Sequence, residues 1–575
     1  MDGILGTVGT TLILLTSAPL AAQSNVVFVE ASASRGLLPG PVAPGMAAGV
    51  AAADYDNDGD VDLFVPQANA RPNHLYENDG TGRFTDVAPA LGLDDEDPCR
   101  LGLWFDADGD GRLDLVTAGD AFGAAGIAFT PVKLFRQMPD GKFLDVTRGS
   151  GLDVTIETAE HDLSHWGGVC AGDVDRDGRL DLCLTQWNGA AYLFRNIGDG
   201  RFEDVSVPSG ISATDDHAWQ PIMHDFDHDG WGDILINIDF APNHLWMNQG
   251  DGTFVDAAPA AGLDTEFNEM GLAPGDVDND GDIDLFMTNI ATAVRHNRLY
   301  RNDSTGGGVL QFTDVATEAG VDDTGWGWGT TFFDADRDGW LDLAATNGFS
   351  NPVYANDPSR FFRNAGTPAI EFLDESDEVL INDVDWGSSM ISADIDRDGD
   401  LDLLQTCMTG LSCRILENRT LGSNPNHYLV VRPRQPGPNT RAIGATVRVW
   451  QGTMMMTRRI SAGTSLLGQE PAEAFFGVGV AETALRVRVE WPDGTTTLAL
   501  DVAPDQVVTI TPAGIVDCDA DVDGDGRVGN ADLAWLMSNL GACALRSPCP
   551  ADLDGDGVLT LDDAMRLMNA FGPCS

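Results

Sequence analysis

From Phe28 to Asn418 the chain alternates strand-length apolar runs with acidic, glycine-rich turns, and one order of parts recurs seven times. Each unit opens with an F-x-D-V-like strand: Phe84–Val87, Phe143–Val146, Phe202–Val205, Phe254–Ala257 and Phe312–Val315 are the clearest. A short strand follows, often begun by Trp-Gly. An acidic loop comes next, then an apolar strand marked by Leu63, Leu115, Leu182, Ile234, Leu285, Leu343 or Leu403. The unit closes on an L-Y-R-N-like strand such as Leu75–Asn78, Leu193–Asn196, Leu245–Asn248 or Leu299–Asn302. Turns such as Asp199-Gly200 and Asp251-Gly252 join it to the next F-x-D-V, a hairpin signal. Four short strands per unit predict the blade of a β-propeller. The acidic loops start 52, 67, 52, 51, 58 and 60 residues apart, and seven loops predict seven blades.

The ends of this region predict a closed ring. The last L-Y-R-N copy, Ile415–Asn418, has no F-x-D-V strand after it. The missing strand lies at the other end, in Val26–Val29, so the N-terminal strand is expected to complete the seventh blade. Closure removes two raw sheet edges.

The acidic loops carry the chemistry. All seven read D-x-D-x-D-G-x-x-D. A hard cation takes six to eight oxygens, and a short loop wraps one when carboxylates alternate along it and a glycine permits the turn. The candidate side-chain ligands are Asp54, Asp56, Asp58 and Asp62; Asp106, Asp108, Asp110 and Asp114; Asp173, Asp175, Asp177 and Asp181; Asp225, Asp227, Asp229 and Asp233; Asp276, Asp278, Asp280 and Asp284; Asp334, Asp336, Asp338 and Asp342; and Asp394, Asp396, Asp398 and Asp402. Calcium is the expected ion, with a backbone carbonyl, Asp60 in the first loop, as a further ligand.

Composition narrows the partners. There are 90 acidic against 33 basic residues, a formal charge of −57. Phosphate binding needs clustered Lys and Arg, so nucleic acid is excluded as an expected partner, and an anionic membrane surface is disfavoured. Disorder is rejected because the chain is 43% hydrophobic and its acids are ordered in a repeat. Ile4 to Leu20 is mostly apolar and is followed by Ala21-Ala22, which predicts a secretory signal over residues 1–22, with Asp2 where a basic residue is usual. The alternative is an N-terminal helix of the mature fold. No other stretch is long and apolar enough to span a bilayer.

After a linker at Gly422 to Pro425 the pattern changes. His427–Val431, Ala445–Val449, Leu485–Trp491 and Gln506–Ile510 read as strands, and the alternation in Arg486–Val489 buries one face. Residues 426–512 are expected to form a small β-sandwich. Met454–Met456 reads as a strand or its edge rather than a metal site.

In residues 517–575, Asp521, Asp523, Asp525 and Asp532, and then Asp552, Asp554, Asp556 and Asp563, mark two 12-residue calcium loops, each running into an amphipathic helix. Cys518 and Cys543 bracket the first loop-helix pair, and Cys549 and Cys574 the second, suggesting one disulfide each; three pairings of the four are open. Cys407 with Cys413 would close a short loop, and Cys170 with Cys183 would pair or pack.

The seven units, taken over residues 25–419, resemble FG-GAP/VCBS repeats, the repeat of integrin α-subunit propellers. That resemblance implies calcium on the loop between the innermost and second strands of each blade. Ala442–Ala445, Ser461–Gly463, Phe476–Gly479 and Val489–Gly494 resemble the ASPIC/UnbV domain. A repeat propeller followed by this domain is the layout of the cartilage acidic protein family, which implies export and matrix binding rather than catalysis. The twin C-terminal loops resemble a type I dockerin. That resemblance implies tethering to a cohesin-like scaffold through Asn530-Ala531 and Leu561-Asp562, pairs that depart from the usual Ser/Thr. The alternative is a calcium-folded cap.

Features present once are the candidates for function. Trp104, Trp166, Trp219, Trp326, Trp328 and Trp386 precede innermost strands, near the channel end remote from the loops. There they would stack a sugar or clasp a peptide, or else pack between blades. Unit three is lengthened by a segment with Glu157, Glu160, His161, Asp162 and His165, and His217 sits at the comparable edge of unit four. The expected function is a secreted, non-catalytic, calcium-stabilised protein that recognises a glycan or protein ligand on the non-calcium face. The sandwich is expected to extend that face, with His161, His165, Trp166, His217, Trp219, Trp328 and Trp386 as candidate contacts. The alternative is an extracellular lyase or glycosidase, which needs a base or paired carboxylates in the channel.

Overall fold

A computed structural model describes residues 26–37, 48–67, 71–119, 129–157, 165–211, 216–264, 266–292, 295–304, 310–409, 413–419, 424–480 and 484–516, with short pieces between 527 and 573. The expected signal segment, His161 and the eight C-terminal loop aspartates lie outside them. The protein is mainly β. Each repeat unit is a run of four antiparallel strands; in unit one these are Ala51–Ala53, Asp62–Val65, His74–Asn78 and Phe84–Asp86. The corresponding runs recur through unit seven, where Phe28–Glu30 lies antiparallel to Cys413–Asn418 with Phe28 opposite Asn418. Apolar side chains on both faces of each unit pack against the next, as Phe286 of unit five does against Phe332 of unit six.

The asparagine of the L-Y-R-N strand joins neighbouring units. Asn78 Nδ2 donates to Ile395 O at 2.7 Å, linking unit one to unit seven. Asn196 donates to Ala107 O, Asn248 to Val174 O, Asn364 to Val277 O and Asn418 to Ala335 O, at 2.8–3.0 Å. Gln137 takes the same part in unit two, reaching Tyr55 O at 3.1 Å. Each acceptor is the second residue of the previous unit's acidic loop, so these contacts tie six of the seven neighbouring pairs; Asn302 of unit five donates within its own unit, to Ile283 O. The donors are buried, and a buried carbonyl that loses its donor costs about 1–3 kcal/mol. Asn248→Ala strands the carbonyls of both Val174 and Gly232, so thermal melting is expected to report a loss of about 2–4 kcal/mol.

Residues 427–516 form two four-stranded sheets. One has the order Ala474–Gly479, His427–Pro433, Gln506–Thr511, Gly514–Val516; the other has Met454–Arg459, Thr446–Gln451, Leu485–Glu490, Thr496–Val502. Leu429, Val431, Val447, Val449, Val487 and Phe476 share one buried core between them. Met454–Arg459 is an edge strand.

The placement of this second domain corrects the expectation that it extends the face remote from the loops. It covers the loop face instead. Arg441 donates to Asp54 O at 2.9 Å and Arg432 to Gly59 O at 2.8 Å, both in the first acidic loop. The segment from Ser461 to Glu473 then enters the channel. Ala171 N donates to Ala462 O, Ser465 Oγ to Thr330 O, and Leu467 N to Gln220 Oε1. Gln469 exchanges backbone bonds with Val50 and Ala52, and its amide meets both Trp104 N and Trp104 O. Glu470 Oε1 accepts from Thr331 Oγ1, Ser392 N and Ser392 Oγ. Six units thus hold the segment. Gly49 is where the tip passes closest: a Cβ there would lie 1.8 Å from Leu467 O. The expectation failed because nothing in the strand pattern of 426–512 reveals which end of the ring its polar turn enters.

Among the described residues Cys99, Cys170, Cys183, Cys407 and Cys413 are free and buried. Cys170 lies opposite Cys183 and packs there. The expected Cys407–Cys413 link does not form. Cys413 is in register with Thr406, so alternation turns Cys407 to the other face of the sheet. Cys518, Cys543, Cys549 and Cys574 lie outside the described residues.

Candidate metal centres and the aromatic end of the channel

Each acidic loop is shaped by two left-handed residues. One is the glycine at the sixth position, with φ from +87° to +105° in all seven loops. The other is the fourth position: Asn57, Gly109, Arg176, His228, Asn279, Arg337 and Arg397 have φ from +57° to +77°. The sequence signals this second position in Asn57, Gly109, His228 and Asn279, residue types that tolerate the conformation, and not in the three arginines. The turns gather the carboxylates. In each of the groups Asp54/Asp56/Asp58, Asp106/Asp108/Asp114, Asp173/Asp175/Asp181, Asp225/Asp227/Asp229 and Asp276/Asp278/Asp284, one possible ligand atom per residue lies within 4.8 Å of the others, and two further groups do the same.

The ninth-position aspartate does more than the sequence suggests. Asp62 Oδ2 accepts from Tyr55 N at 3.3 Å, and its Oδ1 from Asn78 N at 2.9 Å. Asp114, Asp181, Asp233, Asp284, Asp342 and Asp402 repeat this, each tying the second residue of its loop to the third strand of its unit. This residue is a clip within the blade as well as a potential ligand. The amide contacts between units grip the same second loop residue, so loop and blade contacts share one anchor.

The donor set fits a hard divalent cation. Asp54 Oδ1, Asp175 Oδ1, Asp394 Oδ1 and Asp396 Oδ1 are buried without a hydrogen-bond partner. Burial, reinforced by neighbouring carboxylates, pushes Asp106 and Asp173 up to about 6, Asp56 and Asp394 to about 7, and Asp62 to about 9, against an ordinary 3.8. Arginines of the second domain stand close behind. The positive charge of Arg458 faces Asp276 and Asp334, and that of Arg459 faces Asp225. Burial alone would raise the Glu473 carboxyl, but Arg397 and Arg432 hold it at about 2.

These shifts set a pH dependence. A carboxyl whose folded value lies above its unfolded value stabilises the fold fully below pH 3.8, and the effect is lost as pH rises through the folded value. The chelated protein is therefore expected to melt higher at pH 5.5 than at pH 8, the loss beginning above pH 3.8 and ending by about 6 for Asp106 and about 9 for Asp62. Calcium binds the ionised form, so in excess calcium the slope reverses. Melting curves at three pH values with and without chelator check both signs.

At the opposite end, the tryptophans are core. Trp104, Trp166, Trp219 and Trp328 are no more than 2% exposed. Trp166, Trp219 and Trp328 share a cluster with Leu466 and Leu467 of the inserted segment. Trp219 and Trp328 meet edge to face at 5.9 Å, and Arg100 lies over the Trp219 ring at 5.0 Å. These side chains cannot present a ligand platform, because the channel they line is filled. Trp326 and Trp386 are half-buried against Phe349. His165 and His217 do approach one another, through Trp187, a residue the sequence reading missed. His165 stacks on Trp187 at 5.1 Å and 10°, and His217 meets the same indole at 4.5 Å. Trp187 ends a second strand rather than opening a first one, so the Trp-Gly pattern does not find it. His165 is 1% exposed.

Among the described residues no helix is long and apolar enough to cross a membrane. Residues 54–117, 106–184, 173–236 and 225–287 match the FG-GAP-like repeat, and residues 435–515 match the family described as ASPIC and UnbV. The chain is 29% identical to cartilage acidic protein 1 of Homo sapiens over 487 residues, covering 78% of this chain and 69% of that protein. It is 28% identical to the Mus musculus protein over 491 residues, covering 78% and 70%. It is 26% identical to the Xenopus tropicalis protein over 512 residues, covering 82% and 76%. The chain therefore carries FG-GAP-like repeats ahead of an ASPIC and UnbV domain and is a homologue of cartilage acidic protein 1.

Proposed function

We propose that this is an extracellular, non-catalytic recognition protein: a seven-bladed propeller loaded with calcium, capped on its loop face by the second domain and tethered by its C-terminal module. The observation that carries the reading is the set of acidic loops in which carboxylates converge within 4.8 Å while buried oxygens such as Asp54 Oδ1 and Asp394 Oδ1 lack donors. Calcium would be held by the first, third and fifth aspartates of each loop, the ninth adding an oxygen where it reaches the others. The ion would supply charge neutralisation and rigidity; the loop's own residues supply the turn and the clip to the blade. Export supports filling, because sites of this kind load at extracellular calcium concentrations. Homology to cartilage acidic protein 1 supports a matrix role over an enzymatic one. The acid–base alternative also loses support from His165, which is enclosed by Trp187 and Trp219.

The capped loop face leaves the opposite end for a glycan or protein ligand. The C-terminal module is read as a two-ion calcium unit that attaches the protein to a cohesin-like scaffold. Equilibrium dialysis of the full chain tests the loading: about nine tightly held Ca2+ are expected, seven in the ring and two in the tail, by count of the loops. A stoichiometry of two or fewer would remove calcium from the propeller.

A further inference from the structure

Units three and four differ from their counterparts at the end remote from the acidic loops. Their second strands Asp181–Gly189 and Asp233–Pro242 run to nine and ten residues, against four to six in the other five units, and the first strand of unit four, Asp216–His224, runs to nine. The added residues pair between units: Trp187 lies opposite His217, Asp239 opposite Asn268, and Pro242 opposite Glu266. Units three and four merge into one nine-stranded sheet that also takes in Glu266–Asn268 ahead of unit five. A ring built from equivalent units gains nothing in closure from such a wall on one side.

The wall carries an aromatic row. Half-buried Trp187 and His217 meet at 4.5 Å, and His217 meets Phe240 at 5.6 Å. Phe240 is 61% exposed and has a φ of +67°, a left-handed conformation unfavourable for a bulky side chain. It sits in the register shift between Asp239 and Pro242, the kind of irregularity that re-aims a side chain. An apolar ring is thus held in water at a cost in backbone energy. A polar row runs beside it. Asp239, 6% exposed, accepts from Asn268 Nδ2 at 2.8 Å and from Trp187 Nε1 at 3.4 Å. Exposed Arg295 donates to Asn268 Oδ1.

Resting on the recognition reading above, we propose that this wall is a saccharide-binding site. Aromatic rings fixed edge to face offer surface for the C–H face of a pyranose. The exposed Arg295 guanidinium is a donor for ring hydroxyls, and buried Asp239 stands behind it, fixing Asn268 and Trp187 in place. The formal charge of −57 selects a neutral sugar over a sulfated or uronic one.

The full chain in calcium is screened on an array of neutral and acidic glycans, and the best neutral saccharide is titrated against wild type, Phe240→Ser, Arg295→Ala and the control Val207→Ser, an exposed residue after the F-x-D-V strand of unit three. Binding at least ten-fold weaker in Phe240→Ser and Arg295→Ala, with melting temperature and control unchanged, is the expected result. Equal binding by wild type and both variants overturns the site and leaves the recognition reading standing elsewhere on the protein. Selection of acidic glycans alone, or of none, overturns it too and leaves recognition to a protein ligand or another surface. A loss matched by an equal fall in melting temperature would assign Phe240 to the fold instead.

Discussion

Chelating calcium is expected to lower the melting temperature of the full chain by tens of degrees, the largest effect of any single change of condition. Seven loops each bring four carboxylates into one turn, and several of those oxygens are buried without donors. If each site binds about ten-fold tighter than the ambient calcium concentration, it adds about 1.4 kcal/mol. Seven such sites add about 10 kcal/mol, comparable with the whole stability of an ordinary domain. Losing the ions also exposes like charges to one another at close range. Calorimetry with chelator, then with calcium restored, checks the shift and its reversal. An unchanged melt would end the structural role of the ion. Magnesium should rescue poorly, since it demands a tight octahedron and gives up its waters reluctantly.

The second large effect is expected from the segment that fills the channel. Leu467→Asp places a carboxylate where Leu467 is 3% exposed, against Gln220 and the cluster containing Trp219 and Trp328. An unpaired buried charge costs several kcal/mol. That exceeds what one hydrogen-bonded turn returns, so the segment should withdraw while each domain keeps its own core. Two separate calorimetric transitions should replace one, and proteolysis should cut the connection between residues 419 and 424. A single cooperative transition at the wild-type temperature would show that the insertion contributes little. Leu466→Ala, which removes volume without charge, should give a smaller loss in the same direction.

The repeat was legible because it is written in types that chemistry restricts: aspartates at alternate positions, a glycine in the sharp turn, an asparagine at the end of the third strand. Seven copies in phase predict four-stranded units and carboxylate pockets. What stayed hidden belongs to long-range placement. The ninth aspartate reads as a ligand, yet its oxygens also accept two backbone N–H groups, which no spacing rule reveals. Asn78 reads as the end of a strand, yet its amide reaches a carbonyl 317 positions away. The tryptophans left two readings open, a ligand platform or packing, and burial decides for packing; what stayed hidden is that part of what they pack against comes from the second domain. Ser461–Glu473 is polar and turn-like, and nothing local marks it as the filling. Trp187 escaped because a strand four residues longer than its counterpart in unit two cannot be told from an ordinary strand and turn.

Because the chain both enters and leaves the ring within unit seven, that unit is also where tension on the C-terminal part would arrive. The departing strand Cys413–Asn418 is clamped on both sides, by Phe28–Glu30 and by Asp402–Cys407. A pull along it must shear two ladders together instead of peeling one. The segment lodged in the channel forms a second route for the same load, spreading it over six units by way of Ala462, Ser465, Leu467, Gln469 and Glu470. A protein held by its tail while its far end grips a surface would thereby be strained as a whole wheel, with no single rim segment bearing the force.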